Sequence, residues 1–170
     1  MLRRALPSAV ICILHGYSLG LAIDLSLCAD IRLCTSTVRF AVKEVEIGIA
    51  ADIGTLARLP KSVGNASWVR DVCLTGRVFD AEEARREGFV SEVCVDKTQA
   101  IASGLRLCER IAEKSPVAVQ GTKELLNYCR DRSVEEGLRY TAVWNGAALQ
   151  TGDVAKSMDV GRGKVRFEKL

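Results

Sequence analysis

Of the five acids in the 45-residue stretch from His15 to Leu59, three stand out among its Ile, Leu, Val and Ala residues: Asp24, Glu44 and Asp52. A carboxylate surrounded by apolar groups can hold or release a proton near neutral pH. Ahead of the acids lies a glycine-punctuated turn, Gly16-Tyr17-Ser18-Leu19-Gly20, which runs from an apolar segment into a helical one. A helix N-terminus offers free N–H groups and a partial positive charge. Such a turn can hold a phosphate or stabilise an oxyanion. The spacing matches neither GxxxxGK[ST] nor GxGxxG, so nucleotide-loop chemistry has no support here. Asp52 follows Glu44 by eight residues, a step that keeps two side chains on one face of a helix or a strand. One oxyanion site with two proton-carrying carboxylates suits proton movement on carbon beside a carbonyl. Two structural readings stay open: Glu44 pairs with Lys43 or Arg39, and Asp52 caps a helix that begins near Thr55.

The elements that must position these residues alternate between strand and helix. Ala9 to Leu14 is a continuous β-branched run and predicts a buried strand in a parallel sheet. Leu19 to Ala29 is apolar on nearly all sides and predicts a buried helix. Ile31 to Cys34 and Arg39 to Val42 predict further strands, so the first part of the chain reads as α/β. Short helices are expected over Thr55–Val63, interrupted by Pro60, and over Ala66–Leu74 with Asn65 as N-cap. Asp80 with Glu83 forms a capping-box pattern, and Gly88 suits the C′ position of that helix. Phe89 to Val95 alternates like a strand. Asp96 with Gln99 opens a long helix to Lys114, Ser115-Pro116 opens another to about Arg130, and Ser133 with Glu136 caps a third. The third carries Val134, Leu138, Thr141, Trp144 and Ala148 as an apolar stripe. The tail from Gly161 reads as mobile.

Composition narrows the function classes. Aromatic residues make up only 5% of the chain and the net charge is +3, which argues against a nucleic-acid platform. The seven cysteines form no CxxC pair and mostly lie in apolar runs, so they read as reduced core thiols. With one histidine, His15, and no ligand spacing, no metal site is expected. No apolar run approaches the length of a membrane span. The basic opening Met1–Leu6 runs straight into the first strand and reads as the tail of a helix whose beginning lies upstream.

The segment HGYSLGLAIDLSLCADIRLC resembles the crotonase (enoyl-CoA hydratase/isomerase) superfamily, in which a strand, a Gly-rich turn, an acid-bearing helix and a "CD(I/L)R" strand follow one another. Here Cys28-Ala29-Asp30-Ile31-Arg32 stands for the last of these. The following VKEVEIGIAADIGTLARLPKSVGN is similar to the Δ3,5-Δ2,4-dienoyl-CoA isomerase branch. KSPVAVQGTKELLNYCRDRSVEEGLRYTAVWNGAALQT and the terminal FEKL match as well. In that branch the acids are Asp, Glu and Asp, as at Asp24, Glu44 and Asp52. A hydratase of the family has Glu at the first two positions and typically Gly at the third.

The resemblance implies a crotonase-like ββα spiral, partial here, over residues 1–95. It implies a helical oligomerisation region over 96–160, followed by the 161–170 tail. It implies catalysis by Asp24, Glu44 and Asp52, with Gly20 and the Leu21 N–H at the thioester oxygen. Many relatives carry GGG where this chain has Gly20-Leu21-Ala22, so a Leu side chain crowds that position. The implied reaction moves a proton from C2 to C6 of a 3,5-dienoyl-CoA, with no metal and no cofactor beyond the coenzyme A of the substrate. The implied partners are an acyl-CoA and further copies of the chain, as a trimer or a dimer of trimers. His15 is structural in the family. The family's opening ββα turns supply the second oxyanion donor and much of the CoA pocket, and this chain begins after them, so it reads as N-terminally truncated. Enoyl-CoA hydratase or Δ3-Δ2 isomerase activity, and a catalytically impaired fragment or non-catalytic subunit, are the alternative readings. Glu168-Lys169-Leu170 resembles a peroxisomal address, which favours the peroxisome over the mitochondrion.

Overall fold

The computed structural model describes residues 6–158 and 167–168. The Met1–Ala5 segment, most of the tail read as mobile, and the last two residues of the peroxisome-like terminus lie outside these. One compact unit spans Val10–Arg106. The described residues from Leu107 onward form a second together with those from Leu6 to Ala9.

In the first unit the alternation of short strands and helices is α/β, as expected. Strand β1 (Ile11–Leu14) leads through Gly16 to β2 (Tyr17–Leu19), and helix α1 (Leu21–Ser26) follows. Strands β3 (Ile31–Thr35) and β4 (Arg39–Ala41) come next, then a 3-10 turn at Glu44–Ile47 and the single-turn helix α2 (Thr55–Arg58). Leu59–Lys61 continues α2 as a 3-10 turn, because Pro60 has no N–H to donate. Helix α3 (Ala66–Thr75), β5 (Phe79–Asp80), α4 (Ala81–Arg86), β6 (Glu92–Cys94) and α5 (Lys97–Ala112) complete the order, α5 belonging to this unit as far as Arg106.

Two small sheets result. β1, β3 and β6 run parallel in the order β1-β3-β6, with Ile11 opposite Ile31 and Thr35 opposite Cys94. β2 and β4 are parallel and β5 joins β4 antiparallel. Neither β2 nor β5 was expected, since each is too short to show a period. The strand expected over Phe89–Val95 shrinks to three residues, because Phe89 and Val90 serve the turn after α4 by donating to the Ala84 carbonyl.

The scarce aromatic residues are concentrated in this core. Phe40, Phe79 and Phe89 are fully buried, and Phe79 lies 5.2 Å from Phe40 and 5.1 Å from Trp68 between ring centroids. Offset and edge-to-face contacts at these distances add to plain area burial.

The predicted caps form with one exception. Asn65, Ser115 and Ser133 each accept from a backbone N–H of the first turn. Asp80 accepts from Glu83 N at 2.9 Å, but Glu83 does not reach back. Its carboxylate instead accepts from Trp68 Nε1 at 2.7 Å and from Arg77 Nη2 at 2.6 Å, while Arg77 Nε also donates to Asp71. The Arg77 hydrogen bond, ahead of the Trp68 one, holds the Glu83 carboxyl below the usual carboxylate range. A depressed carboxylate stabilises the fold above its unfolded value and loses that contribution as pH falls through the folded one. Glu83→Gln is therefore expected to cost about 1 kcal/mol near neutral pH, the partly exposed guanidinium being screened by solvent. The difference from wild type should vanish when denaturant melts are taken well below pH 4; a pH-independent difference would exclude the ion pair as its source.

All seven cysteines are free. Cys34, Cys73 and Cys94 are buried, and burial pushes the Cys34 thiol up to about 12. Cys108 and Cys129 are exposed, against the expectation of core thiols.

The second unit is helical: α6 (Pro116–Cys129), α7 (Val134–Ala148) and α8 (Gly152–Met158). The Ser133–Glu136 capping box is complete. Tyr140 of α7 stacks on Tyr128 of α6 at 4.2 Å between centroids. The stripe expected along α7 is only partly covered: Val134 and Leu138 are exposed, whereas Thr141, Trp144 and Ala148 are half-buried. No helix among the described residues is long and apolar enough to cross a membrane.

Candidate active site

The turn into α1 begins the site. Gly20 takes φ 49°, ψ −115°, outside the range of side-chain-bearing residues, and donates its N–H to the Ala41 carbonyl of β4 at 2.9 Å. That bond fixes the start of α1 to the sheet. Leu21, at the first helical position, has no carbonyl four residues back in the helix to accept its N–H. The helix is not buried as its composition suggested. Leu21 and Leu25 are exposed, while Asp24 is 1% exposed. The acid thus shares the buried face with Ile23, while the two leucines of the helix point out.

Asp24 is tolerated there because its charge has donors. Thr55 N and Thr55 Oγ1 both donate to Asp24 Oδ1, at 2.6 and 2.8 Å. Thr55 is itself 1% exposed. This partner was not identified from the sequence, where Thr55 marked only a helix start. The available signal was Asp24 itself, since a lone acid in an apolar helix requires a donor from elsewhere in the chain.

Glu44 opens the 3-10 turn after β4, and Gly48 at φ 82° ends that turn. Its carboxylate faces Gly20: a Cβ placed on Gly20 would stand 3.1 Å from Glu44 Oε1. A side chain at Gly20 would crowd the carboxylate, in addition to the strain that its positive φ imposes. Glu44 Oε2 is buried and has no hydrogen-bond partner. The pairing with Lys43 or Arg39 left open above does not occur. Lys43 pairs with Glu46, and Arg39 Nη1 donates to the Val38 carbonyl at 3.0 Å. Burial pushes the Cys73 thiol up, and the nearby Glu44 charge adds to this, so α3 lies beside the acid. A buried carboxylate oxygen without a donor is costly, and among native structures such groups call for a functional account.

Asp52 differs from its expected setting. It is exposed, with no hydrogen-bond partner among the described residues. It does not cap α2, whose N-cap is Gly54 and has no side-chain cap bond. Nor does a regular face relate it to Glu44. The eight-residue step runs through a 3-10 turn and a loop, so chain reversal rather than periodicity sets their relation. Exposed Ile47, Ile49, Ile53 and Leu56 surround this loop. His15 is exposed beside the turn.

Asp24 and Glu44 thus converge on α1, one buried within it and one at its first turn, with Asp52 on the loop that Thr55 ties to the same helix. Among the described residues no cluster of His, Cys, Asp and Glu could hold a metal ion. A cavity of about 310 Å³ in the helical unit, lined by Val117, Leu125 and Trp144 among others, contains none of the three acids.

The chain is 46% identical over 169 residues to the mitochondrial Δ(3,5)-Δ(2,4)-dienoyl-CoA isomerase of Rattus norvegicus, covering 96% of this chain and 52% of that one. It is 42% identical over 163 residues to the peroxisomal isomerase of the same name from Arabidopsis thaliana, covering 95% and 58%. The chain therefore spans little more than half the length of these relatives. Among solved structures, enoyl-CoA hydratase from Thermoplasma volcanium superposes with TM-score 0.83 at 27% identity, over 95% of this chain and 63% of that one. Enoyl-CoA hydratase from Mycobacterium tuberculosis H37Rv superposes with TM-score 0.92 at 24% identity, over 99% and 67%, a likeness of fold. The enoyl-CoA hydratase/isomerase family model matches residues 2–169. With the family's sequence pattern matched over nearly the whole chain and its fold shared, the chain belongs to the enoyl-CoA hydratase/isomerase family.

Proposed function

We propose that the protein isomerises a 3,5-dienoyl-CoA to the 2,4-dienoyl-CoA by carboxylate-mediated proton transfer. The observation that carries this reading is Glu44, a buried carboxylate oxygen with no donor, set against the glycine at a helix start. Such an oxygen is a ready acceptor for a carbon-bound proton.

Glu44 takes the proton from C2 as the C2–H pair becomes the C2–C3 π bond. The 3,4 and 5,6 double bonds shift, and negative charge spreads from the thioester oxygen to C6. The Leu21 N–H, next to Gly20 at the helix start, stabilises that oxygen. A proton delivered through Asp52 reaches C6 and closes the 4,5 double bond. Glu44 then holds a proton and Asp52 has passed one on, and exchange with water restores both. The exposure of Asp52 suits that return. Asp24 stands beside the pair. The conversion leaves oxidation state and atom count unchanged, so its chemistry calls for no redox group, and coenzyme A arrives with the substrate.

The Asp52 position favours the dienoyl isomerase over a hydratase, whose chemistry needs two acids around one water. The isomerase relatives, at 42–46% identity, carry the same name as this proposed activity. The exposed apolar residues Val134, Leu138 and Val143 of α7 support an assembly face, in a trimer or a dimer of trimers. The organelle is a peroxisome or a mitochondrion, both of which occur in the names of the relatives.

Incubation with a 3,5-dienoyl-CoA should raise the absorbance of the conjugated 2,4-dienoyl thioester. Addition of water to a 2-enoyl-CoA without that isomerisation would establish the hydratase instead. Loss of both activities, in a soluble oligomer that binds no acyl-CoA, would establish a non-catalytic subunit.

A further inference from the structure

We infer that Thr55 is the positioning residue of this site: its two hydrogen bonds to Asp24 tether the loop bearing Asp52 to the helix bearing the oxyanion N–H, and Asp24 serves as the anchor of that loop. The inference deepens the proposed function and rests on its assignment of Asp52.

The bond is unusual in its placement. It joins residues 31 apart in sequence, both essentially inaccessible to water. Both donors, the backbone N–H and the hydroxyl, converge on one oxygen, Asp24 Oδ1. The backbone donor is the first N–H of α2, which has no partner within its own helix. The hydroxyl supplies the second, and only Thr or Ser could do so at a helix start this tightly enclosed. Removing one donor from a buried carboxylate costs more than the bond itself is worth, because the desolvated charge stays behind.

The link from Thr55 back to Asp52 is short and stiff. Gly54 takes φ 133°, open only to glycine, and a Cβ there would stand 1.8 Å from Arg58 Nη1. Arg58 Nη1 donates to the Ile53 carbonyl at 3.1 Å, and Arg58 N donates to the Gly54 carbonyl at 3.0 Å. Residues 53, 54 and 55 are therefore each held, and Asp52 is the next residue outward. Its carboxylate meets solvent while its backbone is rooted in the core three residues on, at Thr55. On the other side of Asp52 the loop, with Ile47, Ile49 and Ile53 exposed, is held by apolar packing through Ala51 in the core. Geometry within about 0.5 Å is what proton transfer to a chosen carbon demands, and this tether supplies the constraint that Asp52 lacks by itself.

Thr55→Val keeps the branching and the backbone N–H and removes the hydroxyl. In the full chain, deuterium exchange over residues 50–58 should quicken on the order of tenfold or more. Turnover of 3,5-dienoyl-CoA should fall with little change in KM, and Thr55→Ser should restore both. Should a methyl against the carboxylate prevent folding, Thr55→Ala removes the same donor and is read the same way. Unchanged exchange in a folded Thr55 variant overturns the tether. Faster exchange with unchanged turnover overturns the positioning role. A wild-type protein that lacks isomerase activity overturns the proposed function instead, and the exchange measurement still decides the tether.

Discussion

Glu44→Gln should reduce turnover of 3,5-dienoyl-CoA by roughly 10²–10⁴-fold, the usual contribution of a positioned general base. The amide is nearly isosteric, so Gly20 still accommodates it and the fold is kept. What disappears is the acceptor for the C2 proton. The buried, donor-free Oε2 is the reason for expecting so large an effect, since no neighbouring group stands ready to take over. Deuterium incorporation distinguishes the step. In D2O, Glu44→Gln should lose exchange at C2 together with isomerisation. Asp52→Asn should lose isomerisation but retain C2 exchange, because the base still works and only delivery at C6 is gone. Full isomerase activity in Asp52→Asn would sink the two-acid assignment, and C2 exchange surviving in Glu44→Gln would move the base elsewhere.

The largest stability effect is expected at Phe40. This residue is fully buried in the middle strand of the second sheet, 5.2 Å from Phe79 and 5.4 Å from Phe89 between ring centroids. Phe40→Ala should cost about 3–5 kcal/mol, combining the lost transfer energy with the cavity left behind. For a chain of this size that corresponds to a fall in melting temperature of roughly 10 °C. Phe40→Leu, which fills most of the space, should cost less than half as much. The strand also carries Ala41, whose carbonyl accepts from Gly20 N, so a loosened β4 loosens the start of α1. Calorimetry of the two variants checks the ranking. A loss below about 1 kcal/mol for Phe40→Ala would mean that the aromatic cluster can close over the gap.

Much of the fold was legible because local signals agree with tertiary demands. Asn65, Ser115 and Ser133 start helices in sequence and in structure, since a side-chain oxygen at the N-cap meets a need of the backbone alone. Strands β1, β3 and β4 were legible from their β-branched runs. β2 and β5 were not: two or three residues carry no period, and they are strands only because β4 lies alongside. Glu83 shows the same limit at a cap. Its capping-box partner was correct in one direction, but Arg77 and Trp68, distant from any local pattern, claimed the carboxylate.

The site divides along the same line. That the acids, a glycine turn and a helix start lie close along the chain is written in the sequence, and the family resemblance rests on those residues. Their environments are not. Asp24, Glu44 and Asp52 share apolar neighbours in sequence, yet one is buried, one half-buried and one exposed. Sequence neighbours do not determine desolvation, which depends on what packs across from a side chain. Thr55, 31 residues away, makes Asp24 tenable in the core, and Gly20 lets Glu44 approach the helix start. By itself the sequence determined the family and the α/β alternation, because those reside in local chemistry and order along the chain. Which acid is anchored, which is left without a donor and which meets water followed only from the folded chain, because hydrogen-bond satisfaction and burial are properties of contacts between distant segments.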